Sequence, residues 1–599
     1  MPSLVTEDPR AEYQKRLHDR QENVARLKTL DQMISAGRGL IFLVGIVLAI
    51  AVFGVEAEAV WWLMPIVILF GALVLFHGRV CDDLSRSQNA VAFYQVSLDR
   101  LDEQWVGHGA TGLRYSDPNH LYSADLDLFG RGSLFQLIST ARTRVGEDRL
   151  ASWLLSPAEV ETIRDRQAAV DELRNHLDLR EKLAVLDAEV HDDLNQNLLR
   201  DWTAESPHPV EGIYRITAVV LAVAGVVALS GWLFWGVRLS YLVIVLSIEI
   251  LLAYRFRKHF AHLALTADEV DSGLGILSQV LEVLEKETFS SPPLKTIRTK
   301  LQTEGLLASS QIARLHRLIQ RLNNCLKNQF YAPVAFLLGL PVHLIHAIEM
   351  WRTRVGPEIH DWLEAVADSE ALSSLAGYAY EHPHDPFPEL VESESVFEGT
   401  QIGHPLIPED HCVRNDVSLG KLQWILVSGS NMSGKSTLLR SVGINIVLAL
   451  AGAPVRAERL RLASLQLGTA MRIHDSLQDG QSLFYAAVSR MKSIIDLTRQ
   501  KRPVFFLLDE ILMGTNSHDR RIGAEGVIRK LVECGAIGLM TTHDLELTKI
   551  VKSFDSRAKN VHFEDQLVDG RMAFDYRLRE GVVQKSNALE LMRMIGLDV

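Results

Sequence analysis

The sequence predicts a multidomain α plus α/β protein: a helical body carrying two transmembrane helical hairpins, followed by a C-terminal α/β domain. Three observations lead there. Four apolar runs, roughly 39–55, 60–76, 216–236 and 239–254, come as two pairs. Between and after the pairs, apolar residues recur at three- and four-residue intervals, as in "SLFQLISTARTRVGEDRLASWLLSP" and "IRDRQAAVDELRNHLDLREKLAVL", the period of amphipathic helices. Beyond the Pro-rich "EHPHDPFPEL" (381–390), short apolar strands alternate with helices, the texture of α/β layering. The expected segments are an amphipathic arm 1–38, a first hairpin 39–76, the first part of the helical body 77–212, a second hairpin 213–256, the second part of the body 257–390, and the α/β domain 391–599.

The apolar runs decide the class of protein. A run of 17 residues spans about 26 Å, slightly short of a ~30 Å hydrocarbon core, so the first hairpin is marginal in length. Trp61 and Trp62 suit an interfacial position. The loop holds Glu56 and Glu58 and no base, whereas the arm "YQKRLHDRQENVARLK" and the flank Arg255, Arg257, Lys258 are basic. That asymmetry puts the bulk of the chain on the cytoplasmic side of a cell membrane. In the second pair, "ITAVVLAVAGVVALSGWLFW" runs without a charge, which argues against a soluble core helix. Glu249 is the one awkward residue, placed near the cytoplasmic end where a carboxyl reaches water. The run 331–351, with two prolines and two histidines, reads as a core helix.

Composition adds limits. The chain has 599 residues, enough for three or four domains. Its net charge of −12 confines any nucleic-acid contact to a local patch. Cys81, Cys325, Cys412 and Cys534 form no close-spaced pair, which argues against a disulfide framework or zinc site and suits a reducing compartment. No secretory signal is apparent, because the first apolar run follows a charged stretch and lacks a small-residue cleavage pattern.

The chemistry lies in "LVSGSNMSGKST" (426–437). It fits G-x-x-x-x-G-K-[ST] with Gly429, Gly434, Lys435 and Ser436, preceded by the strand-like "WILV" and followed by a helical run. Glycines let successive backbone N–H groups turn toward phosphates, and the helix N-terminus adds partial positive charge. The expected ATP-binding residues are Gly429, Ser430, Asn431, Met432, Ser433, Gly434, Lys435, Ser436 and Thr437, with Lys435 reaching the β- and γ-phosphates and Ser436 ligating Mg²⁺. Further on, "PVFFLLDE" reads as a buried strand ending in Asp509, expected to hold hydrated Mg²⁺, and Glu510, expected to polarise the attacking water. A third strand, "AIGLMTTHD", brings His543 to the same edge as a reporter of the γ-phosphate.

These parts, in this order, resemble the MutS family of DNA mismatch-repair ATPases, a branch of the ABC-type ATPase superfamily. "GSNMSGKST" is close to the family's phosphate loop, "LLDEILMGTNSHD" to its Asp-Glu strand and following loop, and "TTHD" to its switch. "DGQSLFYAAVSRMKSI" matches the signature-helix start, making Ser482 the serine that completes a partner subunit's site. "TRVGEDRLASWLLSP" with "RQAAVDEL" resembles the lever, "GHPLI" (403–407) the entry to the ATPase domain, and "KSNALELMRMIGL" the C-terminal helix. The resemblance implies a homodimer that buries two ATP molecules between subunits.

The departures bear on function. The family's mismatch reader carries Phe-x-Glu in an N-terminal mixed domain. Here the one such motif, Phe387 to Glu389, lies in the Pro-rich boundary, and an apolar hairpin stands where that domain belongs. The second hairpin falls about where the family inserts its DNA clamp. Ala486 and Ala487 replace acidic residues often seen in the signature, and Cys412 and Val413 occupy the place of the adenine-stacking aromatic. A contact surface for DNA or anionic lipid is expected at Arg314, Arg317 and Arg321, spaced i, i+3, i+7 on one helix face, where a plain solvated face is the simpler reading. Three functions compete: a membrane-anchored dimeric ATPase clamp acting on protein or lipid partners, a DNA or mismatch-binding clamp, and an ABC-type transporter. Transport is disfavoured, because Glu249 alone offers a charge within the spans.

Overall fold

The computed structural model describes residues 8–53, 63–186, 196–204, 211–255, 273–303, 305–392, 395–472, 483–512, 516–568 and 571–583. Its N-terminal part is two long helices, Pro9–Phe53 and Met64–Leu101, packed along one another. At 45 and 38 residues they extend about 68 and 57 Å, twice what a bilayer core requires. Each therefore has an apolar end and a polar stem. The apolar ends expose Phe42, Val47, Ile50, Val67, Ile68 and Leu75. The stems instead dock on the body: Tyr13, Phe93, Tyr94 and Leu98 are buried with Leu177 and Ala184, and Arg100 grips Glu381 with bonds of 2.8 and 2.6 Å. The boundaries expected at 38/39 and 76/77 thus fall inside continuous helices. Hydropathy changes there while the backbone hydrogen-bond ladder does not.

The second apolar pair is Gly212–Trp235 and Ser240–Arg255, turned at Gly236 with φ 66°. Among the described residues three helices are long and apolar enough to cross a membrane, the two long N-terminal helices through their apolar ends and Gly212–Trp235, while Ser240–Leu251 is a shorter apolar helix. The single core helix expected over 331–351 is corrected by the structure. Gly339, at φ 61°, splits it into Ala332–Leu337 and Leu340–Val355. The second enters the core through Val342, Ile345, Ile348 and Trp351, while the first buries Ala335 and leaves Val334 exposed, with Phe330 exposed just before it. A side chain at Gly339 would meet the Ala218 carbonyl of the apolar helix at 3.1 Å, so the break seats this elbow against the span.

The body centres on the helix Ile359–Glu381, buried along nearly its whole length. Against it lies Arg144–Leu155, whose N-cap Thr143 accepts from the Gly146 amide. Thr143 in turn donates its amide and hydroxyl to Glu370 Oε2, at 3.1 and 2.6 Å.

Two sheets form the C-terminal domain. The larger runs Arg571–Glu580, Ala558–Val568, Trp424–Ser428, Ile537–Thr542, Val504–Asp509, Gln466–Ala470, all parallel except the first, which is antiparallel to its neighbour. Its three central strands, Trp424–Ser428, Ile537–Thr542 and Val504–Asp509, are buried along nearly their whole length because both faces are covered. Ile425, Val427, Phe505 and Leu507 pack toward the helix Lys435–Ala451. Leu426, Phe506 and Leu508 pack on the other side toward Leu483–Leu497 and Ser517–Glu533. The smaller sheet, Glu389–Val391, Arg459–Ala463, Phe397–Ile402, Asn415–Leu419, begins at the last two residues of the Pro-rich boundary.

Body and α/β domain are joined through Asp125. Its buried carboxylate accepts from the Thr469 hydroxyl (2.5 Å) and the amides of Met471 (3.1 Å) and Arg472 (2.9 Å). Nearby Asp127 pairs with Arg472 and, at 3.4 Å, with Arg440 on the helix that follows the glycine loop.

Candidate nucleotide site

The glycine loop leaves the buried strand Trp424–Ser428 and enters Lys435–Ala451 through Gly434, whose φ of 99° suits glycine. Space matters as much. A Cβ at Gly429 would lie 2.7 Å from Ser433 Oγ, and one at Gly434 would lie 3.0 Å from the Tyr576 ring. No side chain caps the helix start, so its first amides are free to meet an anion. The hydroxyls of Ser430 and Ser433 are buried without hydrogen-bond partners among the described residues. Lys435, itself buried, donates to the carbonyls of Gly429 (3.0 Å) and Ser430 (2.8 Å). This donor set fits the phosphates of a nucleotide.

Strand order supplies the acids. Ile537–Thr542 lies between the loop strand and Val504–Asp509, in a register pairing Thr541 with Val427 on one side and Asp509 on the other. Three strand ends therefore finish level. The Thr541 hydroxyl donates to Asp509 Oδ1 and accepts the Glu510 amide at 3.1 Å. Glu510 then turns with φ 47°, and Leu512 with φ 58°, conformations costly for residues with a side chain. The turn brings Glu510 Oε1 to 3.5 Å from Lys435 Nζ and 3.1 Å from His543 Nδ1.

These groups face a cavity of about 940 Å³. Asn431, Met432, Gly434, Lys435, Ser436, Thr437, Asp509 and Glu510 line it. Ser430 and Ser433 sit behind the loop, Gly429 at its root, and His543 touches the cavity through Glu510. Ser482, Gly514, Thr515 and "KSNALELMRMIGL" lie outside the described residues. Among the lining residues that sequence reading missed are the polar His411, Asn415 and Tyr576. Tyr576, on the antiparallel edge strand, stacks on Phe574 with ring centroids 6.0 Å apart. Asn415 ties it in place, donating to the Tyr576 carbonyl at 2.9 Å and accepting the Leu578 amide at 2.7 Å. Only sheet pairing brings this ring to the loop, so no local pattern marks it.

Residues 425–598 match MutS domain V, and residues 120–376 match MutS domain III. The chain belongs to the MutS family. It is similar to the DNA mismatch repair protein MutS of Psychrobacter cryohalolentis, 29% identical over 212 residues, covering 33% of this chain and 20% of that one. It is also similar to the DNA mismatch repair protein msh3 of Emericella nidulans, 24% identical over 533 residues, covering 80% and 48%. A third similar protein is the MutS of Shouchella clausii, 30% identical over 256 residues, covering 41% and 29%. The chain spans about half or less of the length of these relatives.

The MutS domain V match takes in the loop strand, both acids and Tyr576. The MutS domain III match brackets the lever helices, the second apolar pair and Ala308–Lys327. On that last helix Arg314, Arg317 and Arg321 are exposed on one side, while Ile312, Leu315, Ile319 and Leu322 are buried on the other. The row makes no ion pair among the described residues. Arg317 Nε donates to the Ala313 carbonyl at 3.2 Å. The structure does not bring these arginines to the nucleotide cleft.

Proposed function

We propose that this MutS-family chain is a membrane-anchored ATPase working as a dimer, in which ATP binding closes and hydrolysis opens a clamp. One observation supports this most: Lys435, Asp509, Glu510, Thr541 and His543 meet at three level strand ends beside the glycine loop. On this reading the free amides at the start of Lys435–Ala451 bind the phosphates, and Lys435 exchanges its two loop carbonyls for phosphate oxygens. Ser436 and Asp509 would hold Mg²⁺, which supplies charge neutralisation at the phosphates. Glu510 orients a water and takes its proton, and His543, held to Glu510, contacts the γ-phosphate. Thr541 fixes both acids. Ser482 of the partner subunit completes the site. Asp125 and Asp127 pass the resulting motion from the cleft to the body. The exposed apolar ends of the long helices and the second apolar pair support anchoring in a cell membrane.

Crosslinking of full-length protein in neutral-lipid nanodiscs, through a cysteine at position 482, tests the dimer. ATP-dependent crosslinking is expected, and the same low yield with and without ATP would refute it.

A second reading has DNA as the clamped object, favoured by the exposed row Arg314, Arg317, Arg321 and by the names of the similar proteins. Phosphate contacts would make binding fall with salt. Gel shifts across a salt series with matched and mismatched duplexes decide it. Equal affinities would leave a clamp without mismatch recognition, and no shift at low salt would leave protein or lipid partners.

A further inference from the structure

A second cavity, of about 230 Å³, lies where the N-terminal stem meets the body. Its wall comes from four places: the helix Met64–Leu101 with Phe93 and Arg100, the segment 139–142, the helix Leu177–Ala184 with Arg180, and the long helix with Glu370 and Ser373. Three arginines and one carboxylate therefore line one small space.

Their bonding is uneven. Arg100 is fully employed, since its guanidinium is bidentate with Glu381 and also reaches Ser97 at 3.0 Å. Arg180 gives Nη2 to the Arg174 carbonyl at 3.0 Å and lies over the Tyr380 ring at 4.7 Å. Its Nε, however, is buried without a partner among the described residues, in a residue only 5% exposed. The Nε of Arg142 and the hydroxyl of Ser139 are likewise buried with no partner among the described residues. Glu370, the one carboxylate in the wall, already takes the Thr143 amide and hydroxyl. Burial pushes the Arg142 guanidinium below its usual value, with Glu370 opposing.

Buried donors are ordinarily satisfied, and a buried cation is ordinarily paired. Here the missing partner has a definite character. Arg142 and Arg180 bring two guanidinium groups and Ser139 a hydroxyl to the wall of this space, a cationic, donor-rich lining that suits an anion. The space is below the 300–1,000 Å³ of ordinary organic-ligand pockets and a quarter of the nucleotide cleft. We propose that this cavity is a binding site for a small oxyanion, such as phosphate or the phosphoryl group of a small metabolite, held by Arg142, Arg180 and Ser139. The source is soluble rather than lipid. Ala92, the nearest wall residue on the stem, lies 16 residues beyond the apolar run that ends at 76, about 24 Å along the helix. An anion here ties the segment 139–142 to the helix Leu177–Ala184, the helix whose Leu177 and Ala184 pack against the stem.

Thermal unfolding of the full chain in neutral-lipid nanodiscs, titrated with inorganic phosphate at constant ionic strength, tests the site. The parent is the Lys435→Ala variant, which weakens phosphate binding in the nucleotide cleft, and the response to Arg142→Gln and Ser139→Ala separates any signal left there from that of this cavity. A saturable rise in midpoint is expected, weakened at least tenfold in apparent affinity by adding Arg142→Gln and severalfold by adding Ser139→Ala. Should Arg142→Gln fail to fold, Ser139→Ala decides, because it removes one hydroxyl and leaves every charge. The same rise in discs with anionic lipid supports a soluble ligand, whereas suppression there assigns the site to a headgroup phosphate. No saturable rise at tens of millimolar phosphate, or an unchanged rise in both variants, overturns the proposal.

Discussion

The hydroxyl of Thr541 donates to Asp509 Oδ1 across the register that pairs these two residues on neighbouring parallel strands. Because the same oxygen accepts the Glu510 amide, one side chain sets both the proposed metal ligand and the turn that aims the proposed base. Thr541→Val keeps the shape and removes the hydroxyl. The expected result is a kcat lower by roughly tenfold to a hundredfold, the usual cost of losing a partner that orients a ligand, with ATP affinity changed far less. Steady-state kinetics at several Mg²⁺ concentrations check it.

On the proposed ATPase reading, Tyr576 is the platform for the purine. Its ring overhangs Gly434, and its backbone has φ 53°. Asparagine tolerates that conformation, so Tyr576→Asn removes the ring with little backbone strain. Aromatic stacking is worth about 1 kcal/mol, which predicts a nucleotide Kd raised roughly fivefold to tenfold, while Tyr576→Phe binds as the wild type does. Fluorescent-nucleotide titration reads both.

The strands and acids of this cleft were legible in the sequence, because loop glycines, Lys435, Asp509 and Glu510 declare their chemistry locally. Thr541 and Tyr576 were not. Their roles depend on which strands become neighbours and in what register, which no local spacing encodes. The apolar runs were legible for the same local reason, yet the helices containing them extend well past the hydropathy edges at 38/39 and 76/77. The 331–351 run shows the converse: hydropathy is continuous there, and a single glycine at positive φ breaks the helix.

His404, in the "GHPLI" segment, makes stability fall in acid. Its Nδ1 accepts the Leu406 amide at 3.2 Å, a bond only the neutral ring makes. Burial first, then Arg440, hold its pKa down at about 4, with Asp127 opposing. A histidine in the unfolded chain titrates near 6.5, so between those values the unfolded state binds more protons. The stabilisation is full above pH 6.5 and is lost as pH falls to 4, on the order of 3 kcal/mol in all. His404→Gln is expected to flatten the fall of unfolding midpoint between pH 7 and pH 5. Parallel curves for variant and wild type would count against this assignment.

The most direct test is steady-state hydrolysis of ATP by the purified full chain, with Mg²⁺ and with EDTA, beside the Glu510→Gln variant. The account predicts Mg²⁺-dependent turnover in the wild type and a loss of a hundredfold or more in Glu510→Gln, which still binds ATP. A wild type that never hydrolyses ATP, or a Glu510→Gln variant that turns over at the wild-type rate, would contradict it.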